Sequence, residues 1–370
     1  MIKGGAREGE ARMEFGILFT SHPNTDREPY PHREVHARVT SEVVRADALD
    51  FDYAWVAEHH FSNEYGIMPD VFVYAAYLAA LTKRIKIGTA VVTLPLANPL
   101  RVAENAAFVD ILSQGRFALG LGSGYRQYEF EGFGVDFEAR RDIQEEALPL
   151  LMELFHKKRS AHQGRHFRVR VDGEYELFPQ ALQEPHPPIL LAGATDRSIT
   201  VAGRMGFGLM LSTWTPFEGL AKQVRRYRDA LEETPAALRR NPARGHVDIA
   251  RWVYVAETDA KAKAESEAGI LRHQAHFFSG HTSGYLGTVG TGAASGRDYD
   301  TLSRDIILHG SPATVIEKLQ RLQHLTGVSS IMLHYPPWYG VERAMASLEM
   351  FADGVAPKFR SPPRAAEVRA

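Results

Sequence analysis

The run Glu58-His59-His60 holds the residues best suited to do chemistry in this sequence. Imidazole titrates near neutral pH, so a histidine can act as an acid, a base or a metal ligand. The Glu-x-x-His and His-x-x-x-His spacings of helical metal sites are absent from the run, and adjacent residues that leave a strand point to opposite sides. We therefore expect acid–base chemistry and no metal site, with a purely structural histidine pair as the alternative.

The turn Gly120–Tyr125 is a first candidate for ligand binding. Its glycines let the backbone approach a ligand closely, although the same residues also permit a tight turn with no ligand. The spacing Gly-x-Gly-x-Gly differs from the dinucleotide-binding fingerprint, and no acidic residue follows at the required distance. The turn therefore predicts a close approach to a ligand without identifying it.

A second turn favours phosphate. It combines small residues, hydroxyls and the start of a helix, where free N–H groups and the helix dipole attract anions. An ordinary N-cap by Thr195 or Asp196 is the alternative. Arg140 or Arg141 at the start of another helix could clamp the same phosphate, unless it only pairs with Glu145 one turn later. The residues of the turn are Gly193, Ala194, Thr195 and Ser198.

Short apolar runs alternate with helix-period segments along the chain, which predicts an α/β fold with a parallel sheet. Eight such runs indicate a single closed (β/α)8 TIM barrel, in which the site lies at the C-terminal ends of the strands. The predicted strands are Phe15–Phe19, Tyr53–Ala57, Ile85–Val92, Arg116–Leu121, Pro188–Ala192, Gly208–Ser212, Ile249–Ala256 and Ser330–His334.

Two segments depart from this alternation. Residues 165–177 alternate around Asp172-Gly173, which predicts a β-hairpin inserted before the fifth strand. Residues 275–300 are rich in glycine, serine and aromatic residues, which favours a lid-like insertion in the seventh crossover over a tolerated surface loop. We expect residues 1–12 to form a disordered leader, residues 13–356 to form the barrel domain, and residues 357–370 to form a flexible tail.

Composition excludes several classes of protein. The 370 residues include no cysteine, so a disulfide framework, thiolate metal sites and a cysteine nucleophile are excluded. The formal net charge of −2 and the absence of a basic block with interleaved aromatics argue against nucleic-acid binding. No apolar stretch approaches the ~18 residues of a membrane span, and no secretory signal is visible. We expect a cytoplasmic protein.

Several segments, in this order, resemble the bacterial luciferase-like family of flavin-dependent monooxygenases. The similarity extends from about Met13 to Pro357. The matching segments are residues 13–19, 48–61, 87–95, 98–104, 115–117, 120–125, 133–137, 310–315 and 326–328. Ser123 and Gly122 depart from the luciferase pattern, which has an arginine after strand four and a cysteine beside the flavin. The resemblance therefore implies a monooxygenase in general, without light emission.

The resemblance implies roles for individual residues. His59, with His60 as its neighbour, would be the catalytic histidine beside the flavin. Ala90-Val91 would be a bulge on strand three, often with a non-proline cis peptide, that presents backbone groups to the flavin ring. The resemblance places the phosphate at the turn 193–198 with Arg140 or Arg141. The other residues expected at the cofactor are Glu58, Ser123, Gly124 and Tyr125.

The resemblance also implies cofactors and partners. Reduced FMN would come from a separate reductase, and O2 would react with it to give a C4a-(hydro)peroxyflavin that oxygenates a small, largely apolar organic substrate. The barrel would form a homodimer. Aromatic residues in and near the insertion, Phe277, Phe278, Tyr285, Trp214, Tyr335 and Trp338, suggest an apolar substrate. Two alternatives are an F420-dependent hydride-transfer oxidoreductase on the same barrel and a non-catalytic flavin-binding subunit.

Overall fold

Eight parallel strands close into a barrel in a computed structural model that describes residues 12–28, 30–62, 65–278 and 296–360. Each barrel strand pairs with its neighbours along the chain, and the first pairs with the last, for example Phe15 with Ile331. The predicted TIM barrel is confirmed. The barrel strands are β1 (Glu14–Phe19), β2 (Tyr53–Val56), β3 (Lys86–Thr89), β5 (Phe117–Gly122), β8 (Ile189–Ala192), β9 (Gly208–Leu211), β10 (Val247–Val255) and β12 (Ser330–His334).

Helices alternate with these strands and cover the barrel. Their starts carry the expected signals: Asp70, Asn98, Thr258 and Ser311 each cap a helix by accepting a backbone N–H. The described helices are α1 (Pro31–Ala48), α2 (Val71–Leu81), α3 (Pro99–Leu112), α4 (Gln127–Phe133), α5 (Arg140–Lys157), α6 (Asp196–Arg204), α7 (Phe217–Glu232), α8 (Asp259–Phe277), α9 (Tyr299–Asp305), α10 (Pro312–Thr326) and α11 (Val341–Gly354).

The third barrel strand is shorter than predicted. The apolar run from Ile85 to Val92 suggested one strand, but the ladder stops at Thr89 and resumes as β4 (Val92–Thr93) beside β5. The peptide bond between Ala90 and Val91 is cis, as the resemblance implies. The break turns the chain at the C-terminal end of the barrel, where the site was predicted.

The predicted hairpin before the fifth barrel strand is present, but its turn lies elsewhere. Strands β6 (Ser160–Gln163) and β7 (Arg168–Val171) are antiparallel, and the turn spans residues 164–167 instead of Asp172-Gly173. The Glu146 carboxylate accepts the backbone N–H groups of Arg165, His166 and Phe167, which fixes this turn. The position of the turn thus depends on a carboxylate from helix α5, which cannot be inferred from the turn residues alone.

Two further departures concern the ends of the predicted segments. A short strand, β11 (Leu308–Gly310), pairs with the end of β10 outside the barrel ring and was not predicted. The packed chain also extends past the predicted start of the tail, because Phe359 is buried and its carbonyl accepts the N–H of Met13. Residues 1–11, 279–295 and 361–370, which include most of the leader, insertion and tail, lie outside the described residues.

The barrel interior is filled at its lower end and open at its upper end. Trp55 plugs the lower part so tightly that a Cβ on Gly88 would lie 2.1 Å from its ring. Tyr53 stacks on Trp55 with ring centroids 4.9 Å apart, and Met332 packs in the same cluster. Any cavity must therefore lie above this plug. Within the described ranges, no helix combines the length and apolar character needed to cross a membrane.

Candidate active site

A cavity of about 240 Å³ opens above the plug, at the C-terminal ends of the barrel strands. The structure brings thirteen of the fourteen predicted site residues to its wall, and His60 is the exception. The thirteen residues are Glu58, His59, Ala90, Val91, Ser123, Gly124, Tyr125, Arg140, Arg141, Gly193, Ala194, Thr195 and Ser198. Among the described residues, no group of three histidines or carboxylates is arranged to hold a metal ion.

His59 is buried at the end of β2 and forms a pair with Glu129. Its Nδ1 lies 3.0 Å from Glu129 Oε1 on α4, and its ring packs edge-on against Tyr65. Burial lowers the pKa of His59, although Glu129 opposes that effect. Burial would raise the pKa of Glu129, but the interactions with His59, the His60 N–H and the charge of Arg126 together hold that pKa below its usual value. The resting pair is thus a neutral imidazole and a carboxylate.

This charge state fixes the tautomer of His59. A carboxylate only accepts hydrogen bonds, so Nδ1 of the neutral ring must carry the proton and donate a hydrogen bond to Glu129. The other nitrogen, Nε2, then has a free lone pair, and it makes no hydrogen bond with any described residue. His59 can therefore accept a proton at Nε2 within the cavity, and Glu129 stabilises the imidazolium that results.

His60 and Glu58 support the site in different ways. The backbone N–H of His60 also donates to Glu129 Oε1 at 3.0 Å, while its ring packs edge-on against Phe133. Glu58 lines the cavity, and its Oε1 accepts a hydrogen bond from the backbone N–H of Thr93 at 3.3 Å. The distance between Glu58 Oε1 and His60 Nε2 is also 3.3 Å. His60, predicted as catalytic, therefore lies behind the cavity wall, where it holds Glu58 and Glu129.

The middle of the cavity is formed by backbone and small side chains. A Cβ on Gly122 would lie 2.5 Å from Val91 Cγ2, and a Cβ on Gly120 would lie 2.0 Å from the Thr89 carbonyl oxygen. These glycines are needed because β5 passes directly beside the cis peptide. Met210 and Ala192 complete this part of the wall. This part of the cavity is therefore a slot lined mainly by backbone and by small or apolar side chains.

The N-terminus of α6 forms one end of the cavity. Thr195 Oγ1 accepts the N–H of Ser198, and Ser198 Oγ accepts the N–H groups of Ala194 and Thr195, which is a complete capping box. The predicted N-cap is therefore present. The same hydroxyls and the positive end of the helix dipole also lie at the cavity wall, so capping and anion binding are compatible here.

Three arginines lie at this end of the cavity. Arg140 is buried over the Phe137 ring at 3.7 Å, and it donates to the Phe137 carbonyl. Arg197, which the sequence did not single out, is paired with Asp142 and Glu145. Arg141 is half-buried and makes no hydrogen bond or ion pair with any described residue. Arg141 is thus the cation left available for an anionic ligand.

The opposite end of the cavity is largely aromatic. Trp252 and His334 stack there with ring centroids 4.1 Å apart, and Phe277 lies beside them in the wall. Of the other aromatic residues expected near a substrate, Trp214 is fully buried against Trp252, and Tyr285 lies outside the described residues. This end offers an apolar surface with few polar groups.

Glu129 and Arg126 are two further residues near His59 that sequence reasoning missed. Both belong to the segment Tyr125–Glu129, which begins α4 directly after strand β5. Arg126 is buried with its guanidinium 3.8 Å from the centre of the Tyr65 ring. It therefore holds Tyr65 in place, and Tyr65 packs against His59. The available signal was the sequence Tyr-Arg-x-Tyr-Glu itself, because charged and aromatic residues that follow a barrel strand at its C-terminal end are candidates for the site.

Comparison with curated sequences shows three relatives of interest. An uncharacterised protein, y4vJ of Sinorhizobium fredii, is 36% identical over 171 residues, which cover 46% of this chain and 48% of that protein. Limonene 1,2-monooxygenase of Rhodococcus erythropolis is 27% identical over 86% of this chain and 80% of its own length. The alkanal monooxygenase alpha chain of Photobacterium leiognathi is 25% identical over 90% of this chain and 95% of its own.

Solved structures share the fold over nearly the whole chain. Monooxygenase RslO1 from Streptomyces bottropensis has a TM-score of 0.76 at 25% identity, covering 94% of this chain and all of that one. The oxygenating constituent of 3,6-diketocamphane monooxygenase from Pseudomonas putida, solved with FMN, has a TM-score of 0.77 at 22% identity, covering 95% of this chain and all of that one. An F420-dependent secondary alcohol dehydrogenase has a TM-score of 0.71 at 17% identity, with coverage of 95% and 100%.

The family assignment follows from the sequence match. The family described as luciferase-like monooxygenase matches residues 13–330, which is most of the chain and includes seven barrel strands and the first residue of the eighth, β12. This chain belongs to the luciferase-like monooxygenase family.

Proposed function

We propose that this protein is a monooxygenase that uses reduced FMN and O2 to oxygenate a small, largely apolar organic substrate. One observation carries the proposal: a single cavity joins an anion-binding end at α6 to the buried His59–Glu129 pair. Family membership supports the same reaction class. Limonene and Baeyer–Villiger monooxygenases among the similar proteins are consistent with an apolar substrate.

The residues at the α6 end suit a phosphate group. Backbone N–H groups, the hydroxyls of Thr195 and Ser198 and the positive end of the helix dipole all favour an anion. Arg141 supplies a guanidinium without a competing carboxylate, whereas Arg140 and Arg197 are already engaged. We assign Arg141 as the phosphate contact and Arg140 as a residue that shapes the wall beneath it.

The slot beside Ala90-Val91 suits the flavin ring. Its width is set by Gly122 and Val91, and its apolar face by Met210. Reduced FMN, when bound, supplies the electrons that activate O2. His59 would lie beside the ring, where its Nε2 can accept or return a proton during oxygen transfer. Trp252, Phe277 and Leu18 would keep water away and contact the substrate.

We also propose that reduced FMN comes from a separate reductase and that two copies of the chain associate. The sequence has no dinucleotide-binding fingerprint that would supply hydride within the same chain. On adjacent helices α2 and α3, an exposed apolar stripe follows helical spacing, and a second copy would bury it. Its residues are Val73, Tyr77 and Leu81 on α2 with Phe108 and Leu112 on α3.

Absorbance titration with FMN and with F420, each in the oxidised and reduced form, tests the cofactor assignment. We expect FMN to bind, and Arg141→Met to weaken binding by about tenfold or more, because a hydrogen bond to a charged group contributes roughly 1.5–3 kcal/mol. Arg170→Met, on the hairpin away from the cavity, is the matched control. Tight binding of F420 with none of FMN would instead favour the hydride-transfer alternative. Flavin binding without oxygen consumption would favour a non-catalytic subunit.

A further inference from the structure

A second, smaller cavity of about 50 Å³ lies behind the barrel wall. It is enclosed by the end of β1, helix α1, the segment after β12, and helix α11. The side towards α11 is apolar, with Val341, Ala344 and Met345, whereas the side towards α1 carries Arg38 and Glu42. The cavity is therefore polar on one side only, which distinguishes it from a packing defect in the core.

This second cavity adjoins the active-site cavity. Leu18, Thr20 and His334 line both of them. Thr20 Oγ1 lies 3.4 Å from His334 Nε2, so the partition between the two cavities includes a hydrogen-bonded hydroxyl and imidazole beside Leu18. The Thr20 hydroxyl and the His334 imidazole can each donate and accept a hydrogen bond. The aliphatic side chains that separate the active-site cavity from the rest of the core cannot.

The second cavity has the size and polarity to hold water. At ~15 Å³ of such volume for each molecule, it has room for about three waters. Several of its lining residues carry buried polar atoms with no hydrogen-bond partner among the described residues, among them Ser21 Oγ, His22 Nδ1 and His334 Nδ1. Buried polar groups without protein partners are usually satisfied by ordered water.

Glu42 stands at the outer end of the cavity, with 15% of its side chain exposed. Arg38 Nη1 lies 3.5 Å from its carboxylate, and Glu28 pairs with the same arginine at 2.7 Å. Burial raises the pKa of Glu42 against the effect of Arg38, and Glu28 raises it further. The α11 residues that face this cavity carry no charge. Glu42 can therefore hold a proton at the boundary with solvent more readily than an ordinary glutamate.

We propose that the second cavity is a proton route from solvent to the active site, with Glu42 at its outer end, ordered water within it, and the Thr20–His334 pair at its inner end. The inference rests on the proposed function. Anionic reduced FMN, O2, substrate and one proton give oxidised FMN, oxygenated substrate and water, so the incoming proton ends in the water formed. With cofactor and substrate filling the main cavity, that proton needs a separate path.

The water in the cavity can be tested without cofactor. A high-resolution crystal structure of the whole protein should show two or more ordered waters in the second cavity. At least one should lie within hydrogen-bond distance of Ser21, His22 or Arg38. A dry cavity would overturn the route whatever the enzyme's activity.

Turnover in H2O and in D2O tests the proton transfer itself, with a substrate identified by oxygen uptake. Glu42→Gln should lower kcat by at least about tenfold, within the range of general acid–base effects. KM and FMN affinity should stay unchanged, the solvent isotope effect should increase, and small carboxylic acids added to the buffer should restore the rate. Glu28→Gln is the matched control, because Glu28 pairs with Arg38 but does not line the cavity.

The outcomes separate the two proposals. Wild-type protein that consumes no O2 with reduced FMN would contradict the proposed function and the route with it. Wild-type turnover with an equal kcat in Glu42→Gln would contradict the route alone. Equal losses in Glu42→Gln and Glu28→Gln without rescue by small acids would also overturn it, because they would show that Arg38 is only being held in place.

Discussion

At the scale of single residues, the His59–Glu129 pair defines what the site can do. Because Glu129 is ionised and His59 is neutral, Nδ1 of His59 carries the proton and Nε2 has a free lone pair. His59 can therefore accept a proton at Nε2 without any change of tautomer. Protonation of His59 in acid removes that lone pair. We therefore expect kcat/KM to fall as the solution becomes acidic, with a midpoint below the usual histidine pKa of 6.5.

Glu129→Gln tests this pair. The carboxylate raises the pKa of His59, so its removal should lower that pKa and move the acid limb of the kcat/KM profile to lower pH. The plateau rate should fall about 10²-fold or more, since the imidazolium loses its counter-charge. Glu131→Gln, on the exposed face of the same helix, is the control and should leave both features unchanged. An acid limb that stays in place would show that His59 is not the group that titrates.

At the scale of elements, one buried arginine positions a wall of the active site. Arg251 on β10 is fully buried and donates to the carbonyls of Thr213 and Thr215 at 2.8 and 2.7 Å, in the loop that follows β9. The structure describes no carboxylate within ion-pair distance of it, and burial lowers its pKa to about 9. The loop carbonyls take the place of a counter-ion, and the loop in turn holds Trp214.

Arg251→Met should destabilise the protein by about 3 kcal/mol, because it leaves buried carbonyls without donors. Urea unfolding followed by far-UV circular dichroism measures the change. Arg244→Met, which removes one hydrogen bond from an exposed arginine to the Leu231 carbonyl, is the control and should cost less than about 1 kcal/mol. Equal effects of the two substitutions would mean that Arg251 does not hold the loop.

The elements also show why some features could be predicted and others could not. Apolar runs such as Pro188–Ala192 lie near the observed strands because parallel barrel strands are buried on both faces. The position of His59 and of the turn 193–198 at the cavity could be predicted because both follow barrel strands, whose C-terminal ends form the site in such barrels. Glu129 was missed because its partner lies 70 residues away in the sequence. Only the assembled barrel shows that distance to be 3.0 Å.

At the scale of the whole molecule, buried neutral histidines should make the fold sensitive to acid. Burial lowers the pKa of a set of histidines, to about 4 for His186 and about 3 for His334. An unfolded histidine takes up a proton near pH 6.5, so lowering the pH below that value stabilises the unfolded state. Burial also acts to lower the pKa of His246, but the nearby Asp248 carboxylate favours its protonated form. The pKa of His246 is therefore raised overall, and this residue does not destabilise the fold in acid in the same way. The other members of the set are His22, His59, His273 and His309.

Each such histidine should reduce the free energy of unfolding by about 1.4 kcal/mol for every pH unit below 6.5, until its folded-state pKa is reached. Denaturant titrations between pH 7.5 and pH 5 measure this slope. His273→Gln removes one fully buried member and should reduce the slope by about 1.4 kcal/mol per pH unit. An unchanged slope would mean that His273 is already protonated in the folded protein.

The proposed homodimer is a second property of the whole molecule. Tyr77, 54% exposed on α2, lies in the middle of the apolar stripe shared with α3. Tyr77→Glu should convert a dimer to a monomer in light scattering after gel filtration, because a charge would be buried at the interface. Tyr175→Glu, at a tyrosine on the hairpin side that is 68% exposed, should remain dimeric. A monomeric wild-type protein, or a dimer that survives Tyr77→Glu, would rule out this surface.

Incorporation of ¹⁸O from ¹⁸O2 tests whether this protein is a monooxygenase that acts on apolar substrates. Photoreduced FMN, the protein and ¹⁸O2 are combined with a panel of ketones, aldehydes, sulfides and aromatic compounds, and the products are analysed by mass spectrometry. We predict one ¹⁸O atom in the product of at least one apolar substrate, and its loss in His59→Ala with FMN still bound. A product that carries no ¹⁸O would rule out the proposed monooxygenase function, and labelling that is equal in wild type and His59→Ala would rule out the role of His59.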